Sequence, residues 1–183
     1  MKKFLRRTRA VQGFRDCRGN NVIFVPHCAL NQNARGPGAA ECPAAVTPLI
    51  TGLMERGIGI VQMPCPELRI FGLDRGDVDV RSELQKDPNR AMCRRIAAVL
   101  VEDIQQYRKC GITVVGIIGK NGSPTCGVEE TWSHRITPGV GVFVEELSKE
   151  LRDRGVRTNI TGTRDTDPAA TLATVDRWLA DLQ

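Results

Sequence analysis

The order of elements in this 183-residue sequence predicts an α/β fold. The expected form is a three-layer α/β/α sandwich around a mostly parallel four-stranded sheet, with the flavodoxin-like strand order 2-1-3-4. Three observations carry this expectation. Short runs rich in β-branched residues alternate with longer segments whose apolar residues recur at helical spacing. The run 112–118 is apolar without alternation, as in a central strand covered on both faces. Prolines stand where the helical segments begin and glycines where they end.

Taken in order, the first strand is expected at 21–26, NVIFVP. A helix follows between Pro43 and Arg56, with Leu49, Ile50, Leu53 and Met54 on one face and Gly57 as its stop. The second strand is 58–63, IGIVQM. Residues 66–86 read as a long, turn-rich connection, which is usually functional or mobile. Asp87-Pro88 then opens the strongest helix, with Asp87 as the expected N-cap and Met92, Ile96, Val99, Leu100, Ile104 and Tyr107 at helical spacing up to Gly111. The third strand follows at 112–118 and a loop at 119–138. The fifth segment is a helix at 139–154, with Phe143, Val144, Leu147 and Leu151 inward. A fourth strand is expected at 156–160, and a last helix begins at Asp167-Pro168.

A chain of this length reads as one domain, 21–183, preceded by a basic arm at 1–20. Lys2, Lys3, Arg6, Arg7, Arg9, Arg15 and Arg18 face Asp16 alone there and supply much of the net charge of +5. A solvated arm is the first expectation. An anionic partner such as RNA or a nucleotide is the second, and it lacks the interleaved aromatic residues that stacking on bases requires. No apolar run approaches the ~20 residues of a membrane span. The basic start has no apolar stretch behind it and does not resemble a secretory signal, so a cytoplasmic location is expected.

Seven cysteines are many for such a chain. An odd number without a secretion signal argues against a disulfide framework and for metal binding or catalysis. Three of the seven, Cys28, Cys65 and Cys126, each fall just past an apolar strand-like run. Parallel strands share one carboxyl edge, so these three can converge there. Three thiolates suit a metal or cluster with one coordination position left open.

The surrounding motifs are HCALNQNARG at 27–36, PCPEL at 64–68 and GSPTCG at 122–127. In this order, after successive strands, they resemble the loops of the thiouracil desulfidase family. Members carry a cysteine-leucine-leucine-glycine loop, a Cys-Pro-Glu loop and a Ser-Pro-Ser-Cys-Gly loop. The resemblance covers roughly residues 21–165. It implies that Cys28, Cys65 and Cys126 hold a [4Fe-4S] cluster whose fourth iron has no protein ligand and takes the sulfur of a small thiolated substrate. It also implies catalytic roles for Glu67 and Ser123. The sequence departs from the family where Ala29-Leu30-Asn31 follows the first cysteine, where Gly36-Pro37-Gly38 replaces Tyr-Asp-Gly, and where Thr125 replaces Ser.

The other polar residues have quieter expectations. Cys17, Cys93 and Cys110 read as small buried hydrophobes. Cys42 could approach the crevice as a fourth ligand or a reactive thiol. His27 points opposite to its neighbour Cys28 and reads as a packed side chain. His134 is either at the surface or on the pocket wall. Arg35 and Glu41 read as solvent-facing or structural, with Arg35 able to bind an anionic or carbonyl oxygen. Asp74, Asp77 and Asp79 read as a solvated loop. Glu129 and Glu130 are candidates for a helix cap or for a place near substrate.

The leading functional expectation is a [4Fe-4S]-dependent desulfidase that releases hydrosulfide from a thiolated heterocycle or other thioamide. One alternative is a cluster-dependent sulfur-transfer enzyme for nucleic acid thiolation; the absence of G-x-x-x-x-G-K-[ST] weighs against an ATP-activated version. The other is a redox sensor holding a cluster or zinc.

Overall fold

The computed structural model of the protein describes residues 16–76 and 78–182. Most of the expected basic arm lies outside them, as does Asp77. Of the arm's described part, Arg18 and Asp16 form an exposed ion pair.

Strand β1 (Asn21–Pro26) runs into a single helical turn, α1 (His27–Leu30), and a 3-10 turn at Gln32–Ala34. Helix α2 (Thr47–Glu55) has Pro48 in its first turn, and Gly57 follows it at φ +69°, a left-handed conformation that costs glycine nothing. Strand β2 (Ile58–Met63) has the expected bounds. The expected long connection contains two short helices, α3 (Pro66–Phe71) and α4 (Val80–Gln85). Both are capped from their own sequence: Cys65 Sγ accepts from Leu68 N at 3.4 Å and Asp79 Oδ1 accepts from Ser82 N at 3.3 Å. Helix α5 (Asn89–Lys109) starts one residue past Pro88. Asp87 is therefore not its N-cap; its carboxylate accepts from Arg94 Nη2 at 3.0 Å.

Strand β3 (Thr113–Lys120) runs two residues beyond its expected end. The expected loop after it carries a two-stranded antiparallel hairpin, β4 (Glu130–Ser133) and β5 (Arg135–Pro138). Helix α6 (Val142–Asp153) follows. Strand β6 (Ile160–Thr163) begins where the expected fourth strand ended. Residues 156–159 instead wrap the end of α6: Val156 N bonds Leu151 O and Arg108 Nη2 holds Arg157 O. Helix α7 (Pro168–Ala180) closes the fold, capped by Asp167 Oδ1 on Ala170 N.

The four long-range strands form one sheet in the order β2-β1-β3-β6, every pair parallel, which is the expected 2-1-3-4 arrangement. Ile23 and Val25 point to the face covered by α2 and α7, where Leu49, Leu53 and Val175 are buried. Phe24, between them, points to the opposite face under α5 and α6, with Ile96, Leu100, Phe143 and Leu147. The sheet is thus the middle of three layers. Strand β3 has one irregularity. Val22 pairs with Val114 and Ile23 with Gly116, so Val115 is an extra residue. This bulge turns Val115 and Gly116 to the same face, and Trp178 of α7 lies directly over Gly116. Among the described residues no helix is long and apolar enough to cross a membrane.

Candidate metal centre

Because all four strands are parallel, their carboxyl ends lie along one edge, and the loops leaving them wall a cavity of about 660 Å³. Cys28 lies two residues past β1, Cys65 two past β2 and Cys126 six past β3. All three line this cavity, as do Glu67 and Ser123, so the structure brings these five residues together.

The loop carrying Cys126 is held tightly. Ser123 Oγ accepts from Thr125 N at 3.1 Å and from Cys126 N at 3.0 Å. Lys120 N bonds Cys126 O, and Gly127 N bonds Ser123 O. The Ser123 hydroxyl therefore shapes the turn that presents the thiol, and its own proton remains available to donate. Asn121 Oδ1 also accepts from Val128 N, Glu129 N and Glu130 N, at 3.3, 3.1 and 3.4 Å.

Glu67 is fixed from two sides. Its Oε1 accepts from Thr125 Oγ1 at 2.5 Å and its Oε2 from Arg75 Nε at 3.2 Å. Arg75 is buried, and its other nitrogens donate to Gly72 O and Ala34 O, both at 2.6 Å. One hydrogen-bonded chain thus ties the first cysteine loop through Ala34, the second through Glu67 and the third through Thr125. Arg75 sits far from any motif and carries no signal in the sequence. Thr125, which departs from the family pattern, has the hydroxyl this contact needs.

A second polar cluster stands beside Cys28. Asp165 is almost fully buried and accepts from Arg35 Nη1 at 2.8 Å, Lys120 Nζ at 3.1 Å and Gln32 Nε2 at 3.1 Å. Glu41 joins through Arg35 at 3.4 Å and Lys120 at 3.3 Å. Gln32 Nε2 also donates to the Cys28 carbonyl at 2.9 Å. Arg35 and Glu41 are therefore structural partners at the cavity wall. Lys120, Asp165 and Gln32 have no sequence signal, since their partners lie up to 133 residues apart.

Burial dominates the electrostatics of the three thiols. It pushes Cys28 up to about 12, and the neighbouring Cys65 adds to the rise while Arg35 and Lys120 oppose it. Cys65 is raised by burial and by the Glu67 carboxylate. Cys126 is raised well above an ordinary thiol, again by burial first, then by Cys65 and Cys28. Burial thus outweighs the nearby cations and favours the neutral thiols, and a metal group binding there would have to displace their protons.

The remaining candidates are sorted by position. His27 and His134 both line the cavity, and His134 sits at the hairpin turn with φ +60°. Cys42 does not line it and packs against the α2 and α7 side of the core. Cys93 is fully buried as expected, but Cys17 and Cys110 are exposed, which corrects their reading as buried hydrophobes: Cys110 is the C-cap of α5, where the chain turns into solvent. Glu129 accepts from Gly162 N at 3.0 Å and Glu130 pairs with Arg164, so both hold the edge of β6. Asp79 caps α4 and its carboxyl is held below the usual value by Ser82.

Among the described residues no group of three or more His, Cys, Asp and Glu side chains is placed to hold a single metal ion. One tetrahedral ion needs its sulfur ligands within roughly 4 Å of one another, given metal–sulfur bonds near 2.3 Å. A [4Fe-4S] cluster takes each thiolate on a different iron and so asks for more widely set donors. Cys28, Cys65 and Cys126 bring three soft sulfur donors from three loops to one cavity, the donor chemistry that such a cluster takes.

No family model matches the chain. An uncharacterised protein of Methanocaldococcus jannaschii, MJ0003, is 28% identical over 134 residues, which is 73% of this chain and 80% of that protein. The solved structure of the [4Fe-4S]-dependent thiouracil desulfidase TudS aligns with 86% of this chain and 98% of its own, at a TM-score of 0.50 and 19% identity. At that identity the likeness establishes the shared α/β fold.

Proposed function

We propose that this protein is a [4Fe-4S]-dependent desulfidase that releases sulfur, as hydrosulfide, from a thiolated heterocycle or other thioamide. The observation that carries the reading is the convergence of Cys28, Cys65 and Cys126 on one cavity that Glu67 also lines. The likeness of the fold to a cluster-dependent desulfidase supports it.

In this reading Cys28, Cys65 and Cys126 hold the cluster. When bound, the cluster supplies a soft Lewis acid for the substrate sulfur. Glu67, oriented by Thr125 and Arg75, takes a proton from the attacking water. Ser123 donates its free hydroxyl proton as a hydrogen bond to the oxygen that adds to the reacting carbon. Overall a water oxygen bonds to the thiocarbonyl carbon, the carbon–sulfur bond breaks, and the water protons leave with sulfur and with Glu67. No electrons are exchanged. The cavity volume lies within the range that encloses a small ring.

The test is anaerobic reconstitution with iron and sulfide, followed by iron counting and sulfide release from 2-thiouracil. The expected result is about four irons per chain, lost in Cys28→Ala, Cys65→Ala and Cys126→Ala. Glu67→Gln should keep its iron and lose turnover. A chain that assembles no cluster, or a Glu67→Gln variant with full turnover, overturns the reading.

A further inference from the structure

We infer that the β4–β5 hairpin is a stacking platform that selects planar ring substrates, with Trp132 as the specificity-determining residue; this rests on the proposed site. Trp132 and Ile136 are directly paired across the hairpin, and each leaves 47% of its surface exposed. Two large apolar side chains paired on one face of a short hairpin keep nearly half their surface open to the cavity, and such an apolar patch beside a site is the kind that marks a ligand groove. Both line the cavity that holds the three cysteines.

The hairpin is anchored to the third cysteine loop. Thr131, on its opposite face, is buried; its Oγ1 donates to Ser123 O at 3.2 Å and accepts from Arg81 Nη1 at 2.9 Å. Gly122 N bonds Glu130 O, and Arg81 Nη1 also holds Val140 O at 3.0 Å. Ile136 lies over Gly122, within ordinary contact of where a side chain would begin. The Trp132 face is therefore fixed relative to Ser123 and Cys126, as a surface that orients a substrate must be. Its chemistry is that of a flat, sequence-indifferent π surface, which takes an aromatic or heteroaromatic ring and gives nothing to a small acyclic thioamide.

The test measures binding as well as turnover, so that this inference and the proposed function can fail separately. Calorimetric titration of the reconstituted protein uses three probes: 2-thiouracil, its oxygen analogue uracil, and thiourea, which has the thioamide without the ring. Trp132→Ala is expected to weaken both ring probes on the order of tenfold and to leave thiourea unchanged, with Trp132→Phe keeping most of the affinity. Ile136→Ser, which spares the indole, serves as a second variant and should weaken the rings less. Ring binding lost in Trp132→Ala in a protein that releases no sulfide supports the platform and not the desulfidase. Sulfide release that survives in Trp132→Ala with the same preference for 2-thiouracil over thiourea overturns the platform and not the desulfidase. Failure of either ring to bind wild-type protein also overturns it.

Discussion

Replacing Arg75 with Met removes the guanidinium that joins the cysteine loops while keeping most of the side chain's bulk. Three contacts go at once: the 3.2 Å pair with Glu67 and the 2.6 Å bonds to the carbonyls of Gly72 and Ala34. Arg75 has 4% of its side chain exposed and Glu67 has 17%, so the carboxylate is left with little water to replace its cation. Breaking such a pair from one side costs about 3–5 kcal/mol. Glu67 keeps the hydroxyl of Thr125 and some access to the cavity, which places the loss near the lower end, about 3 kcal/mol. Against a total stability of about 5–15 kcal/mol the variant still folds. Its melting temperature should fall by about 6–12 °C. Urea unfolding of Arg75→Met, Glu67→Gln and the double variant separates the pair from its surroundings. The double variant should recover at least about 1 kcal/mol relative to the sum of the singles. A single variant that loses less than about 1 kcal/mol, or a cycle that is additive within about 0.5 kcal/mol, refutes the claim that this ion pair braces the site.

Gly116→Ala places a methyl 2.5 Å from the Trp178 ring, so unfolding should show a loss of about 1–3 kcal/mol, partly restored when Trp178→Leu is added. Gly141→Ala would bring a methyl to 2.5 Å from the Thr125 carbonyl carbon and 2.8 Å from Gly127 N; iron per chain after reconstitution should fall while helix content by circular dichroism stays. Arg56 holds the Asp176 carboxyl below its ordinary value of 3.8. A lowered carboxyl stabilises the fold above its unfolded value and loses that contribution as pH falls through the folded one. Arg56→Gln should therefore cost about 0.2–1 kcal/mol at pH 7, and its unfolding curve should approach that of wild type once the pH drops well below 3.8. A penalty that persists unchanged in acid would show that Arg56 acts by packing or through its 2.8 Å bond to Gly52 O.

The sheet was legible in the sequence because its central strands, β1 and β3, are buried on both faces and its first three strands are bounded by turn residues. NVIFVP and IGIVQM can be little else between Pro- and Gly-marked helices, and parallel pairing follows from the alternation. The convergence of the three cysteines then follows from topology alone. The hairpin was not legible. Its strands, ETWS and RITP, are four residues each, lack an apolar period and pair with nothing but each other. Nor could the fourth strand be bounded, because Val156 is apolar for the sake of the α6 side of the core and not for the sheet. The charged partners were hidden for a different reason. Lys120 ends β3 and Asp165 follows β6, 45 residues apart, and Arg75 finds Ala34 across 41. Such pairings are fixed by where the loops land, and no local pattern encodes them.

The extra residue in β3 divides the strand into a position that can be lost and a stretch that cannot. Side chains alternate across a strand, so losing Val115 would only remove the bulge and leave Gly116, Ile117 and Ile118 in register, whereas losing a residue past it, such as Ile117, would exchange the faces of all that follows in β3. Without Ile117, Ile118 would move from one core to the other, and Lys120 would turn from Asp165 and Glu41 toward α5 and α6. A one-residue change that a surface loop would absorb is here equivalent to several simultaneous core substitutions and a misplaced cation. Homologues can therefore be expected to vary freely in the length of the 66–86 connection, and to gain or lose the bulge, while keeping the number of residues from Gly116 to Cys126 fixed.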